Sequence, residues 1–351
     1  MMFANDELVQ EALLEVPTPE ELINEYPLSL QDRNFIHHSR ESVRAILEGG
    51  DRRLLLIVGP CSIHDLDSAL EYAHRLSRLS HRVSDHLFII MRAYVEKPRT
   101  ITGWKGLLYD PDLDGSYNLG KGMRSSRQLF AELTRLRVPI GCELLEMVTA
   151  PYFADFLTWG CIGARTATSS PHRALAASLP FSVGFKNTTD GNVENAIHGM
   201  VAAQRPHVCF GISSNGRLNR LEAAGNGYCH LVLRGGHRGP NYMASKIHEA
   251  TMACRRAQVS ERLLVDCAHD NCEKSYEKQI LAFQTVLDQI KCGNQNIVGM
   301  MVESHLYAGA QAITPTLRYG VSITDPCLDW ETTERLIWNS WEAKNSSPQE
   351  S

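Results

Sequence analysis

The segment LLLIVGPCSIHDLDSALEYAHRLSRL (54–79) contains one complete strand-and-helix unit. Its first part, 54–59, is apolar without alternation, which is typical of a parallel strand buried on both faces. Across Ser68–Leu79 the apolar residues recur at three- and four-residue spacing, which predicts an amphipathic helix. Cys61 and His64 lie between the two, so metal-binding side chains follow directly after the strand.

Apolar runs of this kind recur along the chain, with amphipathic stretches between most of them. The eight predicted strands are Leu54–Gly59, Leu87–Arg92, Pro139–Glu143, Cys161–Arg165, Phe181–Lys186, His230–Arg234, Leu263–Cys267 and Ile297–Glu303. Eight strands alternating with helices predict an α/β fold, a closed (β/α)8 TIM barrel, with a doubly wound open sheet as the alternative. HVCFGI (207–212) and LNRLEA (218–223) flank an Asn-Gly turn, which predicts a β-hairpin inserted before the sixth barrel strand.

Helical signals precede the first strand. Residues 6–14 have apolar side chains at helical spacing, Thr18-Pro19-Glu20-Glu21 is a helix start with a capping box, and a helix is predicted over Ser39–Glu48. This segment is too short to form a core of its own, so we expect it to pack on another surface, first of all a second subunit. The expected division is an N-terminal arm (1–50), a catalytic barrel (51–344) and a disordered polar tail (345–351).

Composition excludes several classes of protein. A net charge of -5 over 351 residues argues against a nucleic-acid binder, because no basic excess is available to neutralise phosphates. The N-terminus lacks the basic-then-apolar order of a signal peptide, and no apolar run approaches the length of a membrane span. The ten cysteines show no disulfide or zinc-ribbon spacing, so we expect reduced thiols in a cytoplasmic protein.

Cationic side chains follow the carboxyl ends of the predicted strands, which is where barrel enzymes have their active sites. These cations are Arg92, Lys97, Arg99, Arg165, Lys186 and Arg234. Charged residues often mark the point where a strand meets water, which explains one or two such ends but not the whole set. Like charges converging on one mouth repel each other unless anions bind between them, so the set predicts two anionic substrates.

Metal-binding side chains form a second set. Cys61, His269, Glu303 and Asp325 offer a thiolate, an imidazole and two carboxylates. A single buried Cys or His more often belongs to the core than to a metal site, but together at strand ends they favour a metal centre. Mixed sulfur, nitrogen and oxygen ligands suit a divalent transition metal better than magnesium or calcium.

Ten ordered motifs extend along the chain: GPCSIHD (59–65), EKPRTITGWKG (96–106), DPDLDGSY (110–117), GART (163–166), VGFKNTTDG (183–191), LRGG (233–236), PNY (240–242), VDCAHDN (265–271), MVESHL (301–306) and SITDPCLDW (322–330). They resemble the motif series of a known family, the microbial class I 3-deoxy-arabino-heptulosonate 7-phosphate (DAHP) synthases. The resemblance covers nearly the whole chain. It implies condensation of phosphoenolpyruvate with erythrose 4-phosphate on a barrel with an N-terminal arm and an added hairpin.

The resemblance also assigns roles to individual residues. The implied metal ligands are Cys61, His269, Glu303 and Asp325, holding one manganese, iron, cobalt or zinc ion that activates the aldehyde. The implied contacts are Arg92, Lys97, Ala164, Arg165, Lys186 and Arg234 for phosphoenolpyruvate, and Arg99, Thr100 and Asp325 for erythrose 4-phosphate. Lys97 is the candidate proton donor to the aldehyde oxygen, with a purely electrostatic role as the alternative. Glu143 orients Lys186 or the attacking water, or only pairs with a neighbouring cation.

Members of the family are usually dimers or tetramers inhibited by an aromatic amino acid. The positions matching the inhibitor pocket are Asp6, Glu7, Glu146, Met147, Leu175, Leu179 and Pro180. DPDLDGSY, HDNCEK and SITDPCLDWETTERL are most similar to the tryptophan-sensitive branch, so tryptophan is the expected effector. The alternative is that the leucines are ordinary helix packing and that the arm only buries a subunit seam.

The sequence departs from the family pattern at three loops. Gly309-Ala310-Gln311 stands where the family usually has Gly-Asn-Gln after MVESHL. Ala167–Ser170 replaces the usual Thr-Glu-Ser-Gln, and LRGGHRGPNY is one residue longer than usual, with His237 in place of Lys. These changes allow a specialised pathway role. Two other classes stay open: a metal-dependent hydrolase on the same barrel, and a non-catalytic regulatory paralogue. The first would release phosphate without an aldehyde, and the second would be expected to have lost Cys61, His269 or Lys97.

Overall fold

The computed structural model describes residues 15–99 and 102–345. Its helices are α1 (Pro19–Glu25), α2 (Leu30–Glu48), α3 (Leu66–Arg82), α4 (Leu119–Arg135), α5 (Ala150–Phe153), α6 (Ser170–Ser178), α7 (Glu194–Ala203), α8 (Ala244–Arg256), α9 (Tyr276–Lys291) and α10 (Trp330–Asn345), with a 3₁₀ turn at His269–Cys272. Its strands are β1 (Leu54–Gly59), β2 (Leu87–Arg92), β3 (Ile140–Glu143), β4 (Leu157–Ile162), β5 (Ser182–Lys186), β6 (His207–Ile212), β7 (Leu218–Ala223), β8 (Cys229–Leu233), β9 (Leu263–Asp266) and β10 (Ile297–Glu303).

Eight of the strands close into a parallel barrel in the order β1-β10-β9-β8-β5-β4-β3-β2. The pairing of β1 with β10, from Leu55 opposite Gly299 to Gly59 opposite Glu303, completes the ring. β6 and β7 form a separate antiparallel hairpin before β8. The predictions of a (β/α)8 barrel and of an inserted hairpin are therefore confirmed, and the open sheet is excluded.

The first two helices begin at strong caps. The Thr18 hydroxyl accepts the Glu21 N–H and the Glu21 carboxylate accepts the Thr18 N–H, as the sequence predicts. Ser29 and Asp32 form a second such box, so α2 begins at Leu30 and not at Ser39. The prediction was too short because the first turns of α2 are largely exposed and polar, and therefore show little apolar periodicity.

The described part of the arm packs on the barrel of its own chain. Leu22 in α1 is completely buried, and the side chain of Arg127 in α4 donates to the Leu22 carbonyl at 2.9 Å. The Glu20 N–H donates to the Ser214 carbonyl at the hairpin tip, at 2.9 Å. A second subunit is therefore not needed to cover α1 and α2. The predicted helix 6–14 lies outside the described residues.

The fourth strand is displaced from its predicted position. It runs over Leu157–Ile162, not over Cys161–Arg165, because the buried Thr158 and the tightly packed Gly160 interrupt the apolar run. Arg165 lies beyond the strand, in a turn closed by the Ala167 N–H and the Gly163 carbonyl. The other predicted barrel strands agree with the structure within one residue at each end.

The C-terminal helix α10 includes Asn345, the first residue of the predicted tail, and the rest of that tail lies outside the described residues. Within the part of the chain that the structure describes, none of the helices combines the length and apolar character needed to cross a membrane.

Candidate active site

A cavity of about 300 Å³ opens at the carboxyl ends of the barrel strands. All six predicted cations line it together with the predicted acids and ligands that reach the same mouth. The lining includes Arg92, Lys97, Arg99, Glu143, Ala164, Arg165, Lys186, Arg234, His269, Glu303 and Asp325. Arg92 and Asp325, 233 positions apart in the sequence, meet here because parallel strands deliver their carboxyl ends to one face of the barrel. Thr100 lies outside the described residues.

Arg92 forms the floor of the cavity. Its side chain is 1 % exposed, and its Nη2 donates to Glu303 Oε1 at 2.9 Å. The guanidinium also lies over the Tyr94 ring, 4.1 Å from its centre. Its Nη1 is buried without a hydrogen-bond partner among the described residues. A buried N–H without a partner costs free energy, so this atom is a built-in donor for an anionic ligand.

Cys61, Lys97 and Asp325 form a compact group beside Arg92. The Lys97 ammonium donates to Cys61 Sγ at 2.7 Å and to Asp325 Oδ2 at 2.9 Å. Burial and the nearby Glu303 carboxylate raise the pKa of the Cys61 thiol to about 12. Burial alone would raise the pKa of Asp325, but Lys97 and His269 reverse this and hold it well below its ordinary value. The side chains around Cys61 and Asp325 therefore favour a positive charge at this position, which the Lys97 ammonium supplies in this structure.

The donor atoms of this group fit a metal ion. Ligand atoms of Cys61, Glu303 and Asp325 lie within 4.8 Å of one another. His269 Nε2 lies 3.6 Å from Glu303 Oε1, beside the three and not among them. A thiolate, two carboxylates and an adjacent imidazole are a donor set that binds divalent transition metals. The structure thus gathers the four predicted ligands, and their binding of metal stays a prediction.

Asp266 lies between the candidate metal ligands and the cationic side chains. Its Oδ2 lies 3.0 Å from His269 Nδ1 and 3.1 Å from Lys186 Nζ, and the carboxylate is completely buried. Burial raises the pKa of Asp266, but His269 and Lys186 together hold it well below its ordinary value. A carboxylate behind a ligating imidazole fixes the orientation of the ring, so Asp266 can set His269 and Lys186 at the same time.

The remaining cations differ in how firmly they are held. Arg234 is buried and pairs with Asp270, whereas Arg99 and Arg165 are exposed at the rim, with Arg99 Nε donating to the Trp104 carbonyl at 2.9 Å. Glu143 lies against Gly163, where an added Cβ would come within 2.2 Å of its Oε1. Only glycine lets Glu143 take this position between the ends of β3 and β4.

Sequence analysis missed three charged residues that the cavity uses. Lys274 lines it as a further cation, Asp270 pairs with Arg234, and Asp266 contacts His269 and Lys186 behind it. Lys274 follows the 3₁₀ turn His269–Cys272 in the left-handed conformation, with φ of 61°. No local pattern predicts that a non-glycine residue takes this conformation. Asp266 could have been found from the sequence, because its carboxylate ends the apolar run of a predicted barrel strand.

None of the predicted regulatory positions that the structure describes lines the cavity. Glu146 and Met147 are exposed after β3, whereas Leu175 and Leu179 are buried in the core, and Pro180 is exposed. His172 in α6 contacts the Leu145 carbonyl at 2.8 Å, so the loop after β3 and α6 are neighbours. α6 also contacts both strands of the hairpin. Asp6 and Glu7 lie outside the described residues.

The fold and the cavity define a class: a (β/α)8 barrel with a cationic cavity at the carboxyl ends of its strands, beside a thiol–carboxylate group that could hold a metal ion. The particular family follows from comparison with known proteins. Residues 25–337 match the sequence model of the DAHP synthetase I family. This chain belongs to that family and is a transferase-class enzyme, as the motifs predict.

Curated relatives and a solved structure agree with this assignment. The chain is 44% identical over 338 residues to the Trp-sensitive phospho-2-dehydro-3-deoxyheptonate aldolase of Shigella flexneri, covering 96% of this chain and 97% of the relative. It is 43% identical over 323 residues to the Tyr-sensitive enzyme of Escherichia coli K12, covering 91% and 90%. The aldolase structure from Francisella tularensis SCHU S4 superimposes with a TM-score of 0.95 at 38% identity, covering 97% of this chain and 99% of that one.

Proposed function

We propose that this enzyme condenses phosphoenolpyruvate with erythrose 4-phosphate and water to give DAHP and phosphate, the first step of aromatic amino acid biosynthesis. The observation that carries the proposal is one cavity in which seven cations adjoin the Cys61, Glu303 and Asp325 ligand group. Two phosphates and a carboxylate need several cationic partners each, which accounts for the number of cations. Family membership and the names of the relatives agree with this reaction.

The cations would hold the two substrates so that the vinyl carbon of phosphoenolpyruvate lies next to the aldehyde carbon of erythrose 4-phosphate. Arg92, Lys186 and Arg234 are buried and suit the phosphate and carboxylate of phosphoenolpyruvate, with Lys97, Ala164 and Arg165 as further contacts from the lining of the same cavity. Arg99 at the rim, with Thr100, suits the phosphate of the longer aldehyde. Fixing both molecules converts a bimolecular encounter into a local one, which lowers the entropic part of the barrier.

A divalent metal held by Cys61, His269, Glu303 and Asp325 would polarise the aldehyde as a Lewis acid. In the condensation, the vinyl carbon of phosphoenolpyruvate forms a bond to the aldehyde carbon, and the aldehyde oxygen gains a proton. We assign Lys97 as the donor, because its ammonium contacts the ligand group at Cys61 and Asp325. Water adds to the enol ether carbon, and phosphate leaves by C–O cleavage. We assign Glu143, which lines the same cavity, the role of orienting Lys186 or this water.

Steady-state kinetics test the reaction. Phosphate release should require both phosphoenolpyruvate and erythrose 4-phosphate, should be lost after chelation and should return when manganese, iron, cobalt or zinc is added. Phosphate release without the aldehyde would indicate a hydrolase. Binding of an aromatic amino acid without any turnover would indicate a regulatory paralogue.

Regulation by an aromatic amino acid is the second part of the proposal. Relatives at 44% and 43% identity are named Trp-sensitive and Tyr-sensitive, and the motif resemblance favours tryptophan for this chain. The exposed Glu146 and Met147 beside α6 and the hairpin supply a carboxylate and an apolar side chain, which suit an amino acid with an aromatic ring. We also propose that the enzyme is cytoplasmic and that it forms a homodimer or homotetramer. Analytical sedimentation measures the oligomeric state.

A further inference from the structure

Three buried asparagines lie behind the cationic mouth, at the ends of three neighbouring barrel strands. Asn187 follows β5, Asn241 follows the loop after β8, and Asn271 lies in the 3₁₀ turn after β9. Their exposed fractions are 0%, 9% and 2%. Buried amides cost free energy unless their donors and acceptors are satisfied, so the bonds that they make identify what they hold.

The bonds converge on the main chain around Arg234. Asn187 Oδ1 accepts the Arg234 N–H at 2.8 Å, and Asn187 Nδ2 donates to the Gly235 carbonyl at 2.8 Å. Asn241 Oδ1 accepts the Gly235 N–H at 2.8 Å. Asn271 Nδ2 donates to the Leu233 carbonyl at 3.2 Å. Four polar groups of three consecutive residues are therefore bound by side chains just where the β8 strand pairing ends.

The three amides also bind one another and the adjoining strand. Asn241 Nδ2 donates to Asn187 Oδ1 at 3.1 Å, and the Asn241 N–H donates to Asn271 Oδ1 at 2.8 Å. Asn271 Nδ2 donates to the carbonyl of Asp266 at 2.8 Å. One connected network thus reaches from the residue after Lys186 to Asp266, the carboxylate that contacts both Lys186 and His269.

The β8 strand ends at Leu233, so strand pairing does not fix the backbone of Arg234 and Gly235. Gly235 has φ of 74°, and an added Cβ would lie 2.6 Å from the Asn271 N atom. The loop that follows contains the extra residue of LRGGHRGPNY, with His237 and Arg238 exposed. Because Asn241 binds back to Gly235, the longer loop can project outward without moving Arg234.

We infer that Asn187, Asn241 and Asn271 are positioning residues that fix Arg234 and its neighbours for the anion of phosphoenolpyruvate. This inference rests on the proposed function. The amides do not reach the cavity, so they act through the main chain at residues 233–235. A packed network of this kind holds a binding group within the narrow range of positions that productive geometry requires.

The test compares Asn187→Ala and Asn241→Ala with Asn226→Ala. Asn226 is a matched control: it is 5% exposed, and its amide donates to the carbonyls of Ala176, Leu179 and Phe181. It lies at the opposite, amino-terminal end of the barrel strands. All three variants should lose thermal stability, which reports the structural role that the amides share.

The Michaelis constants separate positioning from stability. We expect Asn187→Ala and Asn241→Ala to raise KM for phosphoenolpyruvate tenfold or more, with KM for erythrose 4-phosphate unchanged and Asn226→Ala unaffected in both. Should Asn187→Ala fail to fold, Asn241→Ala carries the test, since it breaks fewer bonds. Wild-type KM for phosphoenolpyruvate in the network variants, or an equal rise in Asn226→Ala, would overturn the inference.

Direct binding of phosphoenolpyruvate, measured by calorimetry without the aldehyde, distinguishes the two levels of the proposal. Wild-type enzyme that binds phosphoenolpyruvate but forms no product with erythrose 4-phosphate contradicts the proposed reaction. In that case weaker binding by Asn187→Ala and Asn241→Ala, relative to Asn226→Ala, still supports the positioning role, and equal binding excludes it. Wild-type enzyme that does not bind phosphoenolpyruvate would overturn both.

Discussion

Cys61 is the residue whose role is easiest to test in isolation. It is buried at the mouth of the barrel, where its sulfur contacts the Lys97 ammonium at 2.7 Å and lies 3.4 Å from Asp325 Oδ2. We expect Cys61→Ala to abolish metal retention and activity while the barrel stays folded, because one strand-end thiol is not part of the strand pairing. Bound metal is measured by elemental analysis and folding by circular dichroism. As a control, Cys229→Ala removes a buried thiol at the start of β8 and should keep both metal and activity. Full activity in Cys61→Ala would contradict the assignment of Cys61 as a metal ligand.

The arginines that line the cavity should serve different substrates. Arg234 is buried against Asp270, whereas Arg99 is exposed and held through the Trp104 carbonyl. Losing one charge-assisted pair costs about 2–5 kcal/mol, mostly because the anion is left without its partner. Arg165→Ala and Arg234→Ala should therefore mainly weaken use of phosphoenolpyruvate, and Arg99→Ala use of erythrose 4-phosphate.

Initial rates with each substrate varied in turn measure this division. Arg238→Ala, which removes an exposed arginine outside the cavity, should leave both Michaelis constants at their wild-type values. A rise in KM for phosphoenolpyruvate alone in Arg99→Ala would show that the two anion sites have been exchanged.

Among the elements, the first helix depends on an ion pair whose arginine is completely buried. The Arg127 side chain pairs with the partly exposed Asp155 at 2.7 Å and donates to the carbonyls of Leu22 in α1 and of Tyr26 directly after it. Losing a hydrogen bond that involves a charged group typically costs about 1.5–3 kcal/mol. Arg127→Met should lower the free energy of unfolding by about this amount and speed hydrogen exchange across Pro19–Glu25.

The neighbouring pair Arg124–Glu25 provides the comparison. Its atoms lie 3.1 Å apart with both side chains roughly half exposed, so Arg124→Met should cost about 1 kcal/mol or less. Equal losses in the two variants, or unchanged exchange in α1 of Arg127→Met, would show that the Arg127–Asp155 pair does not hold the helix.

The loops after β2 and β3 meet at a buried carboxyl group, Glu96. One of its oxygens is buried without a hydrogen-bond partner, and burial, with the nearby Glu146, raises its pKa to about 8. Between the ordinary pKa of 4.5 and about 8, the folded enzyme holds a proton that the unfolded chain releases. Stability should therefore fall as pH rises through this window, by at most about 1.4 kcal/mol per pH unit.

Glu96→Gln removes this proton. The variant should unfold at the same temperature as the wild type near pH 5 and at a higher temperature near pH 9, as measured by thermal melts in matched buffers. Glu249→Gln, at an exposed position on α8, should keep the wild-type slope. A wild-type slope in Glu96→Gln would mean that another group titrates in this range.

The predictability of each element follows from the strength of its local signal. The barrel strands were predicted because parallel strands buried on both faces are uninterrupted apolar runs, and the strand-end residues followed from them. β4 was misplaced where Thr158 and Gly160 break its run, and the start of α2 was missed because its first turns face solvent. The asparagine network and Lys274 could not be predicted, since both depend on loops that return to the mouth after the strands end.

At the scale of the whole molecule, charge is unevenly distributed. The chain carries a net charge of -5, yet its cavity gathers seven Arg and Lys side chains. A cluster of one sign inside low-dielectric walls raises the local concentration of anionic substrates and loses this effect as salt screens it. Overall net charge therefore argues against nucleic acid as a partner but gives no indication of the site, which depends on where the strands end.

The proposed regulation belongs to the scale of the whole molecule, because we expect the arm, the loop after β3 and α6 to form the effector pocket together. Glu146 and Met147 are exposed beside α6, and α1 is fastened to the barrel through Leu22 and Arg127. A chain starting at Val16 should therefore keep its fold and its kcat, because α1 and its contacts remain. A chain starting near Pro27 would also lose α1 and expose the partners of Leu22, so it is the less specific test.

We expect millimolar tryptophan to inhibit the full-length enzyme more strongly than tyrosine or phenylalanine, and to inhibit the chain starting at Val16 far less. Initial rates of both proteins with each amino acid measure this, with sedimentation of the same samples to show whether the subunits stay associated. Met147→Ala should weaken inhibition without changing KM for either substrate, since Met147 lies away from the cavity. Inhibition that survives removal of residues 1–15 would exclude that segment from the effector pocket. A full-length enzyme that responds to none of the three would instead be an unregulated synthase, for which the altered loop at Ala167–Ser170 is the first place to look for a dedicated pathway role.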